Sequence, residues 1–216
     1  MKLVIWGATE TGKSSLVYNI KNHLNLPKYT FKDNQSFVIN NDEYIVKALI
    51  DDRLTEEGII NFLNDNNGAK HLLIYRKDLL SQFLGWYHIE ALHNNDDHDY
   101  TFNVDEISIV HCKSFMENIR KNTNKIYNIL KQNTNFLYTL SYEELFLEDN
   151  SVYKLNDLGF NFTNKHQDII INNIKDTDAV GVKSCLFVKE GIEQYSHKKG
   201  FDIVKDLFSD ERLVLE

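Results

Sequence analysis

Hydrophobic residues along the 216-residue chain fall into two kinds of run. Four short ones are nearly continuous: Leu3-Val4-Ile5-Trp6, then residues 44–50, 71–75 and 136–140. Runs of this length with no polar alternation predict strands covered on both faces. A shorter apolar run spans 37–39. The second kind is longer and repeats near the helical period. Leu16, Val17, Ile20 and Leu24 predict a helix over 13–24 with that face on a sheet, ended by Asn25-Leu26-Pro27. Thr55, followed by Glu56 and Glu57, predicts a helix start, with Ile59, Ile60, Phe62 and Leu63 inward and Asn66-Asn67-Gly68 at its end. Leu79, Leu80, Phe83, Trp86, Tyr87 and Ile89 face inward from a helix over 79–92. The longest helix is predicted over 105–132, with Ile107, Val110, Phe115, Ile119, Ile126, Ile129 and Leu130 on its apolar side. A short helix over 151–158 stops at Gly159, and the tail predicts one or two more, including 186–194.

Strands alternating with helices specify an α/β fold in three layers, a mostly parallel sheet with helices on both faces. In such folds ligands bind outside the carboxyl ends of the strands. That rule sets the segment after Trp6, Asp51-Asp52, Arg76-Lys77 and Tyr142 along one rim. No repeat or linker interrupts the chain, so one domain over 1–216 is expected.

Composition narrows the classes of partner. Hydrophobic residues make up 42% and charged residues 26%, the balance of a globular protein. The net charge of −8 argues against a broad nucleic-acid surface, which needs clustered Lys and Arg. The most basic stretch, 21–32, reads as a solvated face. No apolar run approaches the roughly 20 residues that span a membrane, and the chain enters its first strand without a secretory leader, so a cytoplasmic protein is expected. Cys112 and Cys185 lack metal-ligand spacing; thiols in a reducing compartment are the default, with a disulfide left open. His88, His93 and His98 among Asp96, Asp97 and Asp99 are spaced poorly for a metal, so none is expected.

The candidate chemistry begins at Gly7-Ala8-Thr9-Glu10-Thr11-Gly12-Lys13-Ser14, which matches G-x-x-x-x-G-K-[ST] between a strand and a helix. Gly7 and Gly12 let the backbone turn with its N–H groups inward, a nest for phosphate oxygens. The helix opening at Lys13-Ser14-Ser15 adds its positive end, and Lys13 a full charge. With ATP as ligand, Ser14 is the hydroxyl for Mg²⁺ and Asp51 or Asp52 the second acidic residue. Arg53, Arg76 and Arg120 are then the arginines in reach, and no arginine-rich lid segment is evident.

Two further segments point elsewhere. LLIYRKDLLSQFLGWYH (72–88) reads as strand, basic turn and amphipathic helix; FLYTLSYEELFLEDNSVYKLNDLG (136–159) reads as strand, Tyr-Glu, short helix and glycine. In this order, behind the glycine loop, they resemble the sulfotransferases, particularly the small bacterial and viral type, over about residues 1–160. The resemblance implies 3′-phosphoadenosine 5′-phosphosulfate (PAPS) as donor, adenosine 3′,5′-bisphosphate (PAP) as product, a small-molecule or glycan hydroxyl as acceptor, and no metal. It implies that Gly7, Thr9, Thr11, Gly12, Lys13, Ser14 and Ser15 hold the 5′-phosphosulfate. Arg76 or Lys77, with Ser81, would then hold the 3′-phosphate, where a planar guanidinium suits a phosphate best. Tyr142 approaches the adenine, and Glu143 braces its turn. The chain departs from the family pattern at three places. Its loop cation follows the second glycine, as Lys13; the family's helix serine falls on Gly85, one turn beyond Ser81; and Val46-Lys47-Ala48-Leu49 carries no histidine.

The acceptor's proton needs a base, and Glu10, Asp51, Asp52 and His88 are the candidates, with Lys47 as a further lining residue. The acceptor pocket is expected around 93–100. Lys198-Lys199-Gly200 reads as a helix end or as cations for the 3′-phosphate. Sulfuryl transfer to a hydroxyl is the leading reading. An ATP/Mg²⁺-dependent small-molecule or nucleotide kinase is the alternative, and a non-catalytic nucleotide-binding protein the third.

Overall fold

The computed structural model describes residues 1–34, 38–93, 106–172 and 192–216; for 88–93 and 193–194 it describes the backbone alone. Five parallel strands form one sheet: β1 (Lys2–Gly7), β2 (Lys28–Phe31), β3 (Tyr44–Leu49), β4 (Lys70–Tyr75) and β5 (Leu137–Ser141), in the order β2-β3-β1-β4-β5. Trp6 lies opposite Ala48 on one side and Leu73 on the other. The chain turns to β3 on one flank of β1 and to β4 on the other, so the crevice at the switch point opens at the carboxyl end of β1.

The apolar runs are continuous because both sheet faces are covered. Val4, Trp6, Val46 and Leu73 pack against Ile59 and Phe62 of α2 (Glu56–Asp65) and Ile126 and Leu130 of α4 (Ile109–Asn133). Leu3, Ile5, Ile45 and Leu72 pack against Leu16, Val17 and Ile20 of α1 (Lys13–Leu24), and against Leu155 and Ile170 from the 3-10 helix Ser151–Leu158 and the π-helical turn Gln167–Asn172. A third cluster joins α3 (Leu79–His93) to α4 and the helix Phe201–Phe208 through Phe83, Met116 and Phe201. In the first cluster the Trp6 indole donates to His71 Nδ1 at 3.0 Å. Burial holds His71 down to about 4, so its ring is neutral and free to accept. The α/β class with helices on both faces is the architecture found.

Several boundaries differ from the sequence reading. β2 is a strand where the sequence shows only a basic stretch: of Lys28–Phe31 only Phe31 is fully buried, so the edge strand passes for a solvated basic face. Val38 and Ile39 form no strand, and Phe37 lies outside the described residues. Leu24, expected on the sheet, is exposed at the end of α1. α4 opens at Ile109, not 105, because the Ser108 side chain accepts from the His111 amide and caps it there. Its buried positions therefore run through Cys112, Met116 and Ile126, and Val110, expected inward, is 74% exposed. Ile107 is buried without being helical; its amide donates to the Lys199 carbonyl. The expected helix 186–194 falls mostly outside the described residues, which hold a 3-10 turn at Ile192–Tyr195.

Candidate nucleotide site

The loop between β1 and α1 is built by backbone that only some residues tolerate. Glu10 has φ 58° and Gly12 φ 73°, both left-handed. At Gly12 a Cβ would also meet the Phe146 ring at 2.5 Å, so glycine is required there by conformation and by space. At Gly7 a Cβ would stand 2.6 Å from Thr11 Oγ1. Gly12 directly precedes α1 and no side chain caps the helix, so its first N–H groups face the rim.

Three successive loop carbonyls are each held by a side chain. Thr11 Oγ1 donates to the Ala8 carbonyl at 2.9 Å, Gln82 Nε2 to that of Thr9 at 2.6 Å, and Arg76 Nη1 to that of Glu10 at 3.5 Å. Lys13 is 5% exposed. Burial, then the nearby Lys47, lowers its pKa to about 7 against an opposing pull from Glu10. Ser14 is exposed at the start of α1 and Ser15 is buried.

Arg76 follows the carboxyl end of β4 and is 4% exposed. Its guanidinium sits 4.6 Å from the centre of the Tyr142 ring, which in turn stacks on Phe146 at 4.8 Å. Its Nε is buried with no hydrogen-bond partner, and no described carboxylate pairs with it. The Tyr142 ring, expected to approach the adenine, thus carries the Arg76 guanidinium and stacks on Phe146.

The neighbouring polar residues are committed to the scaffold. α5 (Tyr142–Phe146) opens with a capping box between Ser141 and Glu144. The Ser141 hydroxyl bond, helped by Lys77, holds the Glu144 carboxyl below its usual range. Glu143 accepts from the backbone amides of Lys77 and Asp78, both at 3.1 Å, and so braces the turn as expected. The Lys77 ammonium lies 3.4 Å from Glu144, and the Ser81 hydroxyl donates to Asp78 at 2.7 Å in the first turn of α3. Of the residues expected beside the 3′-phosphate, Lys77 and Ser81 are therefore turned to protein partners. Lys199 likewise pairs with Glu106 at 3.0 Å.

On the other flank Asp51 is engaged three times by Arg53, from the backbone amide at 3.0 Å, Nε at 3.1 Å and Nη2 at 2.5 Å. That pairing weakens both roles read for Asp51, base and Mg²⁺ ligand, while Asp52 stays exposed. Lys47 is half-buried in β3 and close enough to act on Lys13. His88 lies on α3 with its side chain outside the described residues, as do 94–100 of the expected acceptor pocket. Arg120, on α4, is paired with Glu211 at 2.5 Å. Among the described residues no group of three or more His, Cys, Asp or Glu could hold a metal ion, and no helix is long and apolar enough to cross a membrane. Cys112 is buried, its thiol pushed up to about 12, and Cys185 is outside the described residues.

Gln82 and Phe146 did not stand out in the sequence. The signal for Gln82 was there, a lone amide inside the apolar stretch Leu79-Leu80-Ser81-Gln82-Phe83-Leu84. A separate cavity of about 490 Å³ lies between Tyr87, Ile107, His111 and Gly200 and includes none of the loop residues.

No protein-family model matches the chain, and no curated protein matches it. Among solved structures it is similar to mouse sulfotransferase SULT7A1 complexed with PAP, at 12% identity and a TM-score of 0.49, over 96% of this chain and 84% of that one.

Proposed function

We propose that this chain binds PAPS at the β1–α1 loop and transfers its sulfuryl group to a hydroxyl of a small molecule or glycan. The observation that carries this reading is Arg76. A guanidinium buried beside a phosphate-type nest, with an unpartnered Nε and no carboxylate, is costly unless an anion completes it. Its position adds weight. An ATP-type site needs an acidic residue after a strand beside β1, and here β4 is followed by Arg76, while of the two acids after β3 Asp51 is held by Arg53 and Asp52 is exposed. A donor with phosphate at both ends of its ribose uses the nest and a second cation together.

In this reading the loop amides and the α1 N-terminus take the 5′-phosphate, Lys13 stabilises charge on the oxygen that leaves sulfur, and Arg76 takes the 3′-phosphate. The new S–O bond forms to the acceptor oxygen as the bridging S–O bond breaks, and the acceptor's proton goes to a base. Glu10, in the loop and close enough to act on Lys13, is the base we assign. Glu10→Gln should lower kcat by at least about tenfold while donor KM stays level or falls. An unchanged kcat removes Glu10 from that role.

The ligand itself is tested by melting. PAP at about 100 times its Kd should stabilise the protein by roughly 2.7 kcal/mol without added metal. Stabilisation by ATP only with Mg²⁺ would replace this reading with the kinase one, and no shift with either would remove the support for both.

A further inference from the structure

The loop carbonyls of Ala8, Thr9 and Glu10 are bound by Thr11, Gln82 and Arg76 in turn. A trans peptide points its N–H opposite its C=O. Tying three successive carbonyls toward the body of the protein therefore turns the amides of Thr9, Glu10 and Thr11 the other way. The shortest of the three bonds is that of Gln82, at 2.6 Å, and it fixes the plane that carries the Glu10 amide. Glu10 is also the left-handed non-glycine residue of the loop, where the backbone has most to gain from an outside anchor.

Gln82 is ill placed for a residue that only fills space. It is fully buried beside Leu79, Leu80, Phe83 and Leu84, and its Oε1 has no hydrogen-bond partner. A methionine or leucine would cover the same helix face without a buried orphan acceptor. We infer that Gln82 is a positioning residue of the phosphate nest, aiming the Glu10 amide at a 5′-phosphate by holding the Thr9 carbonyl. This rests on the proposed reading only in naming the nucleotide; the nest itself would serve any phosphate.

The test uses Gln82→Met and four probes: PAP, adenosine 5′-phosphate, adenosine 3′-phosphate and inorganic pyrophosphate. Calorimetry should show PAP, adenosine 5′-phosphate and pyrophosphate weakened about tenfold. Adenosine 3′-phosphate should change less than about twofold, since its phosphate does not use the loop. Without ligand, the Glu10 amide should exchange faster in Gln82→Met while the melting temperature stays close to that of the parent protein. Gln82→Asn keeps the amide but shortens its reach; it should behave alike, and it carries the test if Gln82→Met does not fold. Unchanged binding of PAP and pyrophosphate, or equal weakening of the 3′- and 5′-phosphates, overturns the inference. A parent protein that binds pyrophosphate but not PAP loses the proposed donor and keeps the Gln82 assignment; one that binds no phosphate probe loses both.

Discussion

Arg53 and Arg76 each follow a strand that flanks β1, Arg76 directly after Tyr75 and Arg53 beyond Ile50-Asp51-Asp52, and they have opposite surroundings. The Arg53 side chain is 56% exposed and lies between two carboxylates, Asp51 at 2.5 Å and Asp33 at 2.7 Å. The segment around it is stitched further by Asn34, which accepts from the Thr55 amide at 2.7 Å and donates to the Arg53 carbonyl at the same distance. Arg76 is almost fully buried, rests on the π face of Tyr142, and has no anion. A charged group that water and two counter-charges already satisfy has nothing to recruit. One that is desolvated and left incomplete has its missing partner still to come. The same residue type thus marks structure on one flank of the loop and, on the proposed function, a ligand on the other.

The sharpest way to break this contrast is Arg76→Met. If the guanidinium binds the 3′-phosphate through charge-assisted hydrogen bonds, PAP affinity should fall about 100-fold or more. Adenosine 5′-phosphate should lose much less. The melting temperature of the free protein should hold or rise, because an unpaired buried charge is removed, against a lost ring contact worth about 0.5–2 kcal/mol. Equal weakening of the two nucleotides removes Arg76 from the 3′-phosphate. A steep fall in stability instead makes Arg76 a structural strut.

A smaller effect separates the loop cation from both arginines. Lys13 titrates near 7 in the free protein because it is buried and has Lys47 as a neighbour. The unfolded chain holds this proton up to about 10.5 and the folded one releases it near 7, so Lys13 makes stability rise with pH across that window. A bound phosphate favours the charged ammonium and moves the pKa back up. At pH 8, PAP binding should therefore take up about one proton, read from calorimetry in buffers of different ionisation heat. Lys13→Met should abolish the uptake. Proton release by the parent protein would place the anion away from Lys13.

The architecture was open to sequence reading wherever burial on both faces made it so. The apolar runs of β1, β3, β4 and β5 and the periodic faces of α1, α2 and α3 leave little choice of fold. β2 escaped because an edge strand buries one side chain in four, and the start of α4 because Ser108 caps it four residues into an apolar pattern. The loop was legible because its chemistry is carried by local backbone, with glycine at fixed spacing. Pairing was not legible. Nothing in Arg-Lys-Asp at 76–78 tells that Lys77 and Ser81 are turned to Glu144 and Asp78 while Arg76 is left incomplete, since those partners come from other turns of the fold. The same holds for Gln82 and Thr9, 73 residues apart.

The smallest expected effect belongs to Arg53→Ala, and it tests the other half of the contrast. Its exposed ion pairs are screened by water, so the melting temperature should drop by no more than a few degrees. PAP affinity should stay within about twofold. The substitution also releases the Asp51 carboxylate, which in the parent protein is bound twice by that side chain. A kinase-type site would gain from this, since it needs an acid after a strand beside β1. ATP with Mg²⁺ should therefore stabilise Arg53→Ala no better than it stabilises the parent protein if pairing at Asp51 is purely structural. New Mg²⁺-dependent stabilisation would mean that Arg53 masks a metal-binding carboxylate. A loss of PAP affinity on the scale of Arg76→Met would mean that both arginines serve the ligand and that their surroundings do not separate structure from site.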